Sequence, residues 1–86
     1  MIDGRMTVRV LGRVIGTADG WDEVGGGWDI QFGDFKPADG VAIESGSSLY
    51  VNYDDDFWEL YGADDEVINK GSLISLVAHL PKSDEY

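Results

Sequence analysis

Residues 28–36 read Trp28-Asp29-Ile30-Gln31-Phe32-Gly33-Asp34-Phe35-Lys36. Trp28, Ile30 and Phe32 share one parity; Asp29, Gln31 and Gly33 share the other. Apolar–polar alternation at period two is the signature of a strand with one buried face. The same pattern returns at 48–53, where Leu49, Val51 and Tyr53 alternate with Tyr50 and Asn52. It returns again at 57–61, where Trp58 and Leu60 alternate with Glu59 and Tyr61. Between these runs stand Pro37-Ala38-Asp39-Gly40, Ser45-Gly46-Ser47 and Asp54-Asp55-Asp56, all turn chemistry. The core of the fold is therefore expected to be a set of short antiparallel strands.

Outward from that centre the pattern is less regular. Thr7 to Ile15 places Val8, Val10 and Val14 on one side and Thr7, Arg9 and Arg13 on the other, and reads as one strand ending at Gly16. Residues 17–27 read as a loop by composition, with Gly25-Gly26-Gly27 at its tip. Val41 to Glu44 and Glu66 to Asn69 read as short strands, the second after a turn at Gly62–Asp65. Ser72 to Leu80 carries Leu73, Leu76, Val77 and Leu80 at helical spacing, although strand parity also fits. Ser72 is a candidate N-cap and Pro81 a stop, which favours a short helix. Residues 82–86 read as a polar tail, and residues 1–5 as a candidate leader ahead of Met6. The expected fold is a single α+β, mostly β domain over residues 1–86. It has one antiparallel sheet of five or six strands, with the C-terminal helix packed on one face.

Charge bounds the function. Seventeen Asp and Glu stand against six Lys and Arg, a net of -11. The asymmetry is regional: residues 1–16 carry +2 and residues 17–86 carry -13. A chain of this charge collapses only with enough apolar surface to bury, and 43% hydrophobic residues supply it. Direct nucleic-acid binding is disfavoured, because each phosphate contact would meet repulsion. No Cys and one His exclude a disulfide framework and a thiolate or multi-His zinc site. No run is long and apolar enough for a membrane helix, and a cytoplasmic location is expected.

Catalytic signatures are missing as well. The chain has no nucleophile elbow, no phosphate loop and no dinucleotide fingerprint. His79 alone makes no triad, and its position near the end of the expected helix suits the helix dipole. The acidic run from Asp54 fails the calcium-loop pattern, with Trp58 where the third ligand belongs and Glu59 where Gly belongs. We expect no catalytic residue, metal or cofactor.

What remains is recognition by charge. Asp29, Glu44 and Glu59 sit at outward parities, and Asp54, Asp55, Asp56, Asp64, Asp65 and Glu66 sit in turns. All are expected to be exposed and clustered on one side. Trp21, flanked by Asp22 and Glu23, has no periodic reason to be buried and is a candidate anchor for a partner. The natural partner of such a surface is a basic nucleic-acid-binding protein. Monomer and homodimer stay open.

Small size, strong acidity, no Cys, no catalytic motif, and the clusters Asp54–Asp56 and Asp64–Glu66 together resemble one functional class. It is the small acidic inhibitors of host defence made by phages and mobile elements, the anti-restriction and anti-CRISPR proteins that act as DNA mimics. The class shares no motif, so no residue assignment carries over. The resemblance implies a stoichiometric inhibitor seated in a basic DNA- or RNA-binding channel. The other reading is an accessory or structural module of a phage or a halophile whose acidity serves solubility. It rests on Asp outnumbering Glu twelve to five and on three Lys in the whole chain.

Overall fold

The computed structural model describes residues 5–24, 29–41 and 43–78. They form one open antiparallel sheet of seven strands and one short helix. The strands are β1 (Met6–Val10), β2 (Arg13–Ala18), β3 (Gly20–Val24), β4 (Asp29–Pro37), β5 (Gly46–Asn52), β6 (Phe57–Tyr61) and β7 (Val67–Ser72); the helix is α1 (Leu73–Val77). The order across the sheet is β1-β2-β4-β5-β6-β7, with β3 also on β4. The nine residues of β4 serve two neighbours on one side. Asp29–Gly33 pairs with β3, and Lys36 and Pro37 pair with β2.

The strand count exceeds the expected five or six, for two reasons. The run read as one strand over 7–15 is a hairpin, turned at Leu11 (φ 54°) and Gly12 (φ 78°). Positive φ at both central residues is the geometry that a tight two-residue turn needs to match strand twist. The region read as a loop over 17–27 contains the end of β2 and all of β3. In the other direction, the described residues Val41, Ile43 and Glu44 are not in a strand. Val41 and Ile43 still pack against the core from a connecting segment.

The buried set follows parity through the middle of the sheet and departs from it at irregularities. Leu49, Val51, Trp58 and Leu60 are buried as expected, as are Val8 and Val10. Val14 was expected inward but is exposed, and Ile15 is fully buried instead. The register of β1 on β2 slips by one residue there, and a bulge inverts the phase beyond it. Phe32 and Phe35, three apart, are both buried, with Asp34 between them at φ 47°. Asn52, expected outward, is buried: its Oδ1 accepts from the Asp55 amide at 2.7 Å and so holds the acidic turn.

α1 sets the shape. It packs on β7, from which it follows directly, and also on β1 and β2 at the other end of the strand order. The sheet must curl to bring those ends to one helix. Leu73, Leu76 and Val77 are buried there. Trp58 Nε1 donates to Ser75 Oγ at 3.1 Å, and Arg13 Nη1 donates to the Val77 carbonyl at 3.1 Å. Ser72 is in the N-cap position with extended backbone, but its side chain makes no capping bond. The expected continuation of the helix to Leu80 lies outside the described residues.

Arg5, assigned to the candidate leader, is tied into the sheet. Its guanidinium donates to the side chain and carbonyl of Thr17 and to the carbonyl of Asp34, and it pairs with Asp34 Oδ2 at 3.0 Å.

Candidate protein-binding surface

Antiparallel register decides which side chains share a face, because directly opposed residues point the same way. One row runs Asp22, Gln31, Tyr50, Glu59, Lys70 across β3 to β7. The next runs Val24, Asp29, Asn52, Phe57, Ser72. This face is polar, and its groups bind one another. Tyr50 Oη donates to Asp29 Oδ2 at 2.7 Å, and Asn52 Nδ2 donates to Tyr50 Oη at 3.2 Å. Tyr61 Oη donates to Glu59 Oε1 at 2.8 Å, and Gln31 Nε2 donates to Ser48 Oγ at 2.7 Å. The Tyr50 and Phe57 rings meet at 5.7 Å between centroids.

These bonds have an electrostatic consequence. A phenol that donates to a carboxylate resists losing its proton. The bond to Asp29, with burial second, raises the Tyr50 pKa above its ordinary value of 10.0. The bond to Glu59 raises Tyr61 in the same way. Tyr53 is raised by burial alone.

The expected acidic residues are exposed, apart from Asp29 and Glu59, which are half-buried. They do not form one cluster. Asp22, Asp29 and Glu59 lie on the polar face. Asp54, Asp55 and Asp56 make the β5–β6 turn at one end of the strands, next to Asn52. Asp64, Asp65 and Glu66 make the β6–β7 turn at the opposite end, and Glu44 precedes β5 at that same end. From Asp56 to Gly62 is six strand steps, so the two acidic ends stand about 20 Å apart. A shallow hollow of about 390 Å³ lies at the Glu44 end, lined by Asp34, Ser45, Ser47 and Ile68 among others.

Trp21, Asp22 and Glu23 also separate. They are strand residues, not loop residues, so they alternate. Asp22 joins the polar face. Trp21 and Glu23 point to the opposite face, Trp21 in the row of Phe32, Leu49 and Leu60. Those three are buried, whereas Trp21 at the rim is 55% exposed. Trp28, expected inward, and His79 lie outside the described residues.

Two exposed acids outside the expected set are Asp19 and Asp34. Both sit where β4 passes from β3 to β2, and Asp19 donates its amide to the Gly33 carbonyl at 2.9 Å. Neither carries a sequence signal, because the handover depends on tertiary pairing. Among the described residues the ion pair found is Arg5–Asp34.

Among the described residues, no group of three or more His, Cys, Asp and Glu side chains is placed to hold a metal ion, and no helix is long and apolar enough to cross a membrane. Compared with protein-family models, curated proteins and solved structures, the chain matches none.

Proposed function

We propose that this chain is a non-catalytic, acidic protein-binding inhibitor. It would occupy the basic nucleic-acid-binding surface of a host defence enzyme, as an anti-restriction or anti-CRISPR DNA mimic. The observation that carries this reading is unneutralised charge. The described acids are exposed or half-exposed, and among the described residues one of them, Asp34, is ion-paired. Carboxylates left open in this way can replace phosphates opposite Lys and Arg and steer association. The tiers at Asp54–Asp56, Glu59 and Asp64–Glu66 spread them along about 20 Å of strand. One strand of a duplex presents about six phosphates over that length. Trp21 at the rim supplies an exposed ring of the kind enriched at interface hot spots.

The test is affinity capture from host lysate at low and high salt, followed by competition between this protein and DNA or RNA for the captured enzyme. The expected result is mutually exclusive binding that weakens as salt rises. Simultaneous binding of protein and nucleic acid would refute mimicry. A second reading is favoured by one observation, the placement of acidic turns at both ends of the sheet. An accessory or structural module that uses acidity for solvation distributes its carboxylates in this way. It predicts no salt-sensitive partner.

A further inference from the structure

The tripeptide Ala-Asp-Gly stands at 18–20 and again at 38–40. Aspartate before glycine is an open setting for attack of the next backbone nitrogen on the side-chain carbon, because glycine has no Cβ beside that nitrogen. The same local chemistry is thus present in two places, and the fold treats them differently. Both aspartates are exposed, so exposure does not separate them.

At 18–20 the sheet holds the chain on both sides. Ala18 ends β2 and is buried, and Gly20 opens β3 opposite Gly33. The Asp19 amide donates to the Gly33 carbonyl at 2.9 Å. The carboxylate lies over Gly33: a Cβ there would stand 2.7 Å from Asp19 Oδ1. For Cγ to reach the Gly20 nitrogen, the side chain must leave that seat and the backbone must twist out of the ladder. At 38–40 no ladder holds the step. Asp39 and Gly40 are the central residues of a turn closed by the Val41 amide on the Ala38 carbonyl at 3.2 Å. Gly40 has φ 92°, as a type II turn requires at its third residue. Among the described residues the Gly40 amide makes no hydrogen bond, and the Asp39 carboxylate makes no hydrogen bond or ion pair.

We propose that Asp39–Gly40 is a site of spontaneous backbone rearrangement to isoaspartate, and that the sheet holds Asp19–Gly20 out of the same reaction. The Gly40 nitrogen attacks Asp39 Cγ and loses its proton. The new N–Cγ bond replaces a Cγ–O bond, and the oxygen leaves as water. The resulting succinimide takes a water back. Opening at the N–Cγ bond restores aspartate. Opening at the bond from that nitrogen to the Asp39 backbone carbonyl carbon leaves the main chain running through Cβ and Cγ. Water is the only co-reactant. The product keeps its carboxylate but lengthens the turn by a carbon. Both ends of the turn are fixed, by the Ala38 amide on the Ile15 carbonyl at 2.9 Å and by Val41 against the core. The added length therefore loads the pairing of β2 with β4.

This inference does not depend on the inhibitor reading. The experiment is incubation of the full chain in heavy-oxygen water, folded in buffer and unfolded in guanidinium chloride, with circular dichroism to confirm each state. Every passage through the succinimide installs a heavy oxygen. Cleavage after Glu23 and Glu44, with fragment-ion mass spectrometry, places the label and separates Asp19 from Asp3, which lies outside the described residues. In the folded protein, label should enter Asp39 at least about tenfold faster than Asp19; in guanidinium the two rates should agree within about twofold. Asp39→Glu keeps the charge but would need a six-membered ring, and should remove the label at 39 without changing Asp19. Equal labelling of the two in the folded protein would overturn the proposal. So would an Asp39 rate that rises more than about tenfold on unfolding, because the turn would then be protective. A difference of about tenfold that persists in guanidinium would overturn it as well, and assign the contrast to the flanking Trp21 and Val41.

Discussion

A methyl group added at Gly46 tests the packing of the central strands. Gly46 opens β5, and a Cβ there would stand 2.6 Å from Leu60 Cδ1, 2.8 Å from Leu60 Cγ and 2.9 Å from the Tyr61 carbonyl oxygen. The two nearest obstacles belong to one side chain, and Leu60 is fully buried. Gly46→Ala should therefore overpack the core and cost about 1–3 kcal/mol. Leu60→Ala leaves a cavity and should cost about 2–5 kcal/mol. The double variant removes Cγ and Cδ1 together, so the new methyl fills space that the deletion vacates. The carbonyl of Tyr61 remains, so relief is incomplete. The double variant should then be more stable than the sum of single effects predicts by about 1–2 kcal/mol. For an 86-residue domain of roughly 5–10 kcal/mol total stability this is well resolved. Urea unfolding followed by far-UV circular dichroism, with slopes compared across the four proteins, gives the cycle. Additivity within about 0.3 kcal/mol would refute the claim that Leu60 is what Gly46 accommodates.

Three further outcomes are expected. Trp58→Phe and Ser75→Ala should each cost about 1 kcal/mol through the lost Nε1–Oγ bond, and combining them should cost little more than the larger single effect, as measured by thermal unfolding. Tyr50, Tyr53 and Tyr61 have raised pKa values, so the unfolded chain releases phenolic protons first; stability is intact below pH of about 10 and falls as pH rises through the folded values, and Asp29→Asn should bring the absorbance titration of Tyr50 down toward the ordinary range. Asp54, Asp55 and Asp56 changed together to Asn should leave the melting temperature within about 2 °C of wild type, because all three are exposed and Asn also tolerates the positive φ of Asp56; a large loss would show that the turn depends on its charge.

The central strands β4, β5 and β6, and most of β7, were legible in the sequence; the β1–β2 hairpin and β3 were not. β5 and β6 have a strand on either side, so their inward residues had to be apolar at every second position. Among the described residues β3 pairs with β4 alone, and its five residues include none that is fully buried, so no periodic signal was written into it. The β1–β2 turn was hidden because Leu11 stands where Asn or Asp would mark a two-residue hairpin. Asn52 reads as outward by parity, but a turn needed its carbonyl oxygen more than the surface did. For the surface, sequence parity placed Asp29 and Glu59 on one face. One strand at 57–61 between the two acidic turns already puts them at opposite ends, and the expectation of a single cluster overlooked it.

Three of the four described non-glycine residues with positive φ are aspartates: Asp34 (47°), Asp56 (61°) and Asp65 (63°). Asp enters the left-handed region more easily than most side chains. Glu carries the same charge one methylene further out and does not share that ease. Part of the twelve-to-five excess of Asp over Glu is thus a requirement of backbone geometry at bends, separate from any demand of hydration or partner. Charge and curvature are encoded by the same letters at these places. A substitution that preserves the charge, Asp to Glu, is then more disruptive to the chain path than Asp to Asn, which discards it.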